Sequence, residues 1–136
     1  GFRDPDTIAR IDLVRDWARR KVEERFGGEG YELHYHVYGR NGVMGDLEVA
    51  DRLAHELCVI VEGVAPDRQT AAELTAMGAR QMFYARLPGV KGTAGTAALM
   101  SDEVLYARPA YEWTINHVLP VQDPAELFRL HLVTVP

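Results

Sequence analysis

Across "GGEG", residues 27–30, the apolar residues change their rhythm, and few folds accept such a change. Before it, Ile8, Ile11, Val14, Trp17, Ala18, Val22 and Phe26 recur at intervals of three and four, the spacing of one helix face. After it, in "YELHYHVYG", Leu33, Tyr35 and Val37 alternate with His34, His36 and Tyr38, the period of a half-buried strand. One segment cannot satisfy both periods. A helix therefore hands over to a strand at the glycines.

The first helix opens at Asp4-Pro5, because an aspartate caps free amides and proline fits the first helical position. It is expected to run to about Phe26. Its Arg and Lys residues alternate with Asp12, Asp16, Glu23 and Glu24, a solvated face of mixed charge. A loop with Asn41-Gly42 and Gly45 leads to a second strand in "HELCVIVEGVAP", whose near-continuous apolarity suits a central position. Pro66 and Asp67 open a second helix through about Tyr84, and Gly78 within it permits a close approach to a neighbour. "AYEWTINHVLPV" reads as a third strand with Tyr111, Trp113, Ile115, His117 and Leu119 on one side. A short helical turn, "PAELF", and a final strand, "RLHLVTV", complete the chain.

This order predicts a single α+β domain over residues 1–136: a two-layer sandwich, its mostly antiparallel sheet covered on one face by two helices, as in ferredoxin-like folds. The other face then lacks cover. It would carry Tyr38, Cys58 and Ile60 beside polar groups, and such a half-apolar surface is expected to meet another domain or a second copy in a homo-oligomer.

At 136 residues, 47% hydrophobic and 26% charged, the chain can bury a core without disulfides. Twenty acidic against fifteen basic residues give a net charge of -5, which disfavours nucleic acid and anionic membranes as partners. The apolar runs are strand-length, and no signal peptide is visible. One cysteine, Cys58, fits a reducing compartment, so the cytoplasm is expected, and its apolar neighbours predict a buried, unreactive thiol.

"HYHVYGRNGVMG", "HELCVIVEGVAP", "PGVKGTAGTAAL" and "YEWTINHVLPVQDP", in that order and after the "RIDLVRDWARR" helix, resemble the C-terminal part of the acyclic terpene utilisation (AtuA-like) family. The resemblance covers nearly the whole chain. It implies a ferredoxin-fold-like domain that follows a larger N-terminal domain in a longer polypeptide. It also implies bacterial catabolism of acyclic terpenes or of branched acids handled as thioesters. The opening "GFRDPDT", which enters a helix at once, likewise suggests a piece of a longer chain.

Two sets of residues carry candidate chemistry. His34 and His36 leave one face of their strand, and Glu62 and Glu112 join that face if the strands pair suitably; His34, His36 or Glu62 would serve as acid/base in a hydratase, lyase or isomerase. His117 points the other way and is expected in the core. Two histidines without a third ligand make a poor metal site. His55 and Glu56, adjacent on a strand, face apart and cannot cooperate.

The second set is the loop with glycines at 89, 92 and 95. A phosphate cradle runs from a strand through glycines into a helix N-terminus, whereas these glycines follow a helix, with Gly89 placed to end it. A connecting loop is the simpler expectation. The alternative is binding of an acyl-thioester phosphate or a carboxylate by Lys91, Gly92, Thr93 and Gly95, helped by Arg40 and Arg86. No cofactor is specified by any motif.

Overall fold

A computed structural model describes residues 1–49, 51–89, 100–101, 103–123, 125 and 127–135. The ordered elements are α1 (Pro5–Ala9), α2 (Ile11–Phe26), β1 (Glu32–Tyr38), β2 (Cys58–Val64) and α3 (Arg68–Tyr84), with one 3-10 turn at Gly45–Leu47. The protein is thus α+β, with three helices and a two-stranded antiparallel sheet. Among the described residues no helix is long and apolar enough to cross a membrane.

Capping starts the helices where the sequence predicts. The Asp4 carboxylate accepts from the Thr7 amide and hydroxyl, both at 2.7 Å, and these bonds hold it below the ordinary carboxylate range. Asp67 does the same for the Thr70 amide at 2.9 Å and hydroxyl at 2.7 Å, and its carboxyl is lowered likewise. The expected single first helix is two. Arg10 leaves the helical conformation with φ -119°, and its guanidinium donates to the Pro88 carbonyl at 2.9 Å. No proline or glycine breaks the helix there; the break accompanies a tie to the far end of the chain's second long helix. Gly27, with φ 81°, ends α2 at the predicted place.

The strands pair so that His34 lies opposite Glu62, His36 opposite Ile60 and Tyr38 opposite Cys58. Leu33, Tyr35 and Val37 of β1 face inward with Val59, Val61 and Gly63 of β2, as the alternation requires. Onto this face pack Ile11, Val14, Ala18 and Val22 from α2 and Leu74 and Met82 from α3. Their burial is the main stabilising term.

Glycine sets the depth of that packing. A Cβ on Gly63 would lie 2.5 Å from Leu74 Cδ1 and 3.2 Å from the Ala71 carbonyl, and would strike Thr75 Oγ1. One on Gly78 would lie 3.1 Å from the Tyr35 hydroxyl and 3.1 Å from Val61 Cγ1. The helix therefore rides directly on the strands, as expected for Gly78. This closeness repays the roughly 1 kcal/mol that a mid-helix glycine costs relative to alanine.

The second half of the chain departs from expectation. No strand forms at "AYEWTINHVLPV" or "RLHLVTV"; the described residues from Leu105 onward are exposed. Alternation alone does not make a strand without an edge to donate to, and among the described residues no strand lies beside these two stretches. His117 is accordingly exposed and not a core residue, and Glu112 does not share the face of Glu62. Of the expected "PAELF" turn, the Ala125 amide donates to Asp123 Oδ1 at 2.9 Å, while residues 124 and 126 lie outside the described set. Gly89 does not end α3: Ala85, in extended conformation, is the residue after the helix, and Gly89 turns with φ 83° four residues later.

Gly63→Ala should destabilise the fold by about 1–3 kcal/mol, measured by urea unfolding, since a methyl there must displace α3. Tyr35 gives a second test. Its hydroxyl is buried without a hydrogen-bond partner among the described residues, and burial pushes its ionisation well above the ordinary tyrosine value, against the opposing pull of the Arg19 guanidinium. A raised phenol contributes stability that is complete below the unfolded value near 10 and is lost as pH climbs from there toward the folded one. Tyr35→Phe should leave stability at pH 7 unchanged or higher, and should remove this residue's share of the alkaline loss in thermal melts taken between pH 9 and 11.

Candidate functional site

The alternation that buries Leu33 and Val37 forces His34, His36 and Tyr38 to the other face of β1, and antiparallel register brings Cys58, Ile60 and Glu62 beside them. Among the described residues no helix packs on this face. Ile60 is 51% and Tyr38 42% exposed, and the Cys58 thiol is free and exposed. The expectation of a buried Cys58 is therefore wrong. An apolar run is uniformly buried only where both sheet faces are covered, and among the described residues nothing covers this one.

Three of the predicted catalytic residues meet on that face. His36 Nε2 lies 2.8 Å from Glu62 Oε2, a cross-strand diagonal contact. His34 Nε2 turns instead to Glu32 Oε2 at 2.9 Å, and the two imidazole rings stand 6.3 Å apart. Both pairs are well exposed, so each is worth little as an ion pair. Their chemical capacity is proton exchange between an imidazole and a carboxylate held at hydrogen-bond distance. Among the described residues no three His, Cys, Asp or Glu side chains gather where a cation could be held.

The predicted anion-binding residues are not brought together with this face. Arg40 turns at the end of β1 and pairs with Asp12 Oδ2 at 2.9 Å, which fastens the loop to α2. Arg86 is exposed just after α3. Lys91, Gly92, Thr93 and Gly95 lie outside the described residues. His55 is exposed, and Glu56 pairs with Arg3 at 2.6 Å, so those two neighbours do not act jointly.

A feature the sequence pattern did not disclose is a groove of about 1200 Å³ along the free edge of β2. Its walls are β2 itself, the Ala72, Ala76 and Ala79 side of α3, and residues 103–110. Arg68 pins the far wall by placing its guanidinium 3.6 Å above the Tyr106 ring, a cation–π contact. The alanines of α3 were the available signal, since side chains that small fill no space beside a sheet edge.

No family model matches the chain, and neither a curated protein nor a solved structure matches it.

Proposed function

We propose that the chain is an accessory, assembly domain of a bacterial protein that catabolises acyclic terpenes or branched acids, docking through its uncovered sheet face. The observation that supports this reading is that face itself: Ile60, Tyr38 and Cys58 lie open at one end of it beside two imidazoles and a carboxylate, and such a mixture of apolar and polar groups is the composition of an interface. The partner fitting the AtuA-like resemblance is the larger N-terminal domain of the same polypeptide, with another subunit as the alternative. In this proposal the sheet is completed to a two-layer ferredoxin-like sandwich by strands at "AYEWTINHVLPV" and "RLHLVTV" once the free edge of β2 is paired.

One contact favours a second reading. The 2.8 Å approach of His36 to Glu62 has the form of an acid/base pair, and in a hydratase, lyase or isomerase it would act on an acyl-thioester or branched acid whose anionic end rests on the Lys91 loop. His34 would then tune access to the same face.

Cys58, the chain's single cysteine, reports on the first reading directly. In the isolated chain it should be alkylated by iodoacetamide at the rate of a free peptide thiol, and at least tenfold more slowly when the larger N-terminal domain accompanies it. Equal rates would remove the face from assembly. For the second reading, titration with coenzyme A and short branched acids should show saturable binding that Lys91→Ala weakens about tenfold; no binding either to this chain or with the larger domain present counts against it.

A further inference from the structure

We propose that two copies of this chain exchange strands: residues 111–118 of each add to the free edge of β2 in the other. The inference concerns the sheet edge, not the sheet face: it rests on the sheet completion proposed above and names a second copy as the source of the strand, while the docking of the face is tested separately.

The acceptor is defined by backbone parity. Phe2 bridges Leu57 through two hydrogen bonds, its amide to the Leu57 carbonyl at 2.8 Å and the Leu57 amide back to its carbonyl at 2.9 Å. Both polar groups of a strand residue face one edge, and successive residues face opposite edges. Leu57 therefore points away from β1, and Val59, Val61 and Gly63 present their N–H and C=O groups to the same outer side. Among the described residues no strand pairs with them. Phe2 shows that this edge accepts an antiparallel neighbour, and it occupies only the first position.

The donor lies at the groove's own mouth. Residues 103–110 form its far wall, and the chain leaves it at Ala110 to enter "YEWTINHV". Tyr111, Trp113 and Ile115 are 90%, 93% and 68% exposed, a run of large apolar side chains at period two with no cover. Water-exposed apolar surface of this extent marks an interaction site. Eight residues are enough to span the seven of β2 from Cys58 to Val64 that lie beyond Phe2, and a strand added there would sit roughly 4.8 Å from β2.

Side-chain size and polarity also agree. One side of the donor, Tyr111, Trp113 and Ile115, is bulky, and the α3 wall it would meet is built of Ala72, Ala76 and Ala79. The other side, Glu112, Thr114 and Asn116, would extend the polar face of His36 and Glu62. The segment runs out of the groove exposed and does not return along its own β2. A second copy supplies the occupant, and reciprocal exchange makes a closed two-fold dimer that covers the outer edge of β2 in both copies.

The test is light scattering with size exclusion on the whole chain, joined to amide hydrogen exchange. The expected result is a dimer in which the Val59, Val61 and Gly63 amides exchange slowly. Combining Trp113→Asp with Ile115→Asp, both at exposed positions, should raise the dissociation midpoint roughly a hundredfold and free those amides while the helical circular dichroism signal is retained. Ile60→Asp, on the sheet face, should leave the dimer intact. A monomer at every concentration overturns the proposal, including one with slow amides, in which the strand would have folded back on its own β2. A dimer that survives the double substitution, or that Ile60→Asp abolishes, overturns it too. None of these outcomes alters the Cys58 test, so exchange at the edge and docking at the face fail separately.

Discussion

A helix can lie on a pair of strands at ordinary spacing with any side chains between them; α3 lies closer, because Gly63 and Gly78 put nothing between. That approach brings fully buried Leu74 against Leu33 and Val22, and from this contact the asymmetry of the molecule follows. With both long helices committed to one side of β1 and β2, the parity of the strands leaves His34, His36, Tyr38, Cys58, Ile60 and Glu62 on the other. The residues with reactive side chains are exposed because the aliphatic ones have been taken.

The local half of this arrangement was legible. Capping by Asp4 and Asp67, the change of period at Gly27, the alternation of both strands and the packing role of Gly78 all depend on neighbours within a few residues, where sequence spacing and geometry are nearly the same thing. The grouping of His36 with Glu62 was legible only in part: parity placed both on one face, but the 2.8 Å contact depends on register, set by the long loop between the strands.

The differences between pattern and structure share one cause. Apolar company along the chain points Cys58 and His117 to a core, and alternation points "AYEWTINHVLPV" to the sheet. Each of these needs a partner distant in sequence: a cover for the face of Cys58, an edge for the segment containing His117. Sequence pattern states what a segment would do if paired and is silent on whether the pairing occurs within one chain. The break at Arg10 belongs to the same class, since its side chain answers to Pro88, far along the chain.

The same consideration bears on the two surfaces left open. The face of β1 and β2 is apolar only toward the end where Tyr38, Cys58 and Ile60 adjoin and satisfies its histidines in side-chain pairs, so it can rest in water at small cost between encounters. The edge of β2 is different. Its outward amides and carbonyls can be solvated, but the bulky apolar side chains that follow Ala110 cannot be, and no rearrangement of the face relieves them. The stronger drive to associate therefore sits at the edge. Filling it would lay a third strand beside β2 and widen the face through which the larger partner is proposed to dock, so the pairing of two copies does not compete with that docking.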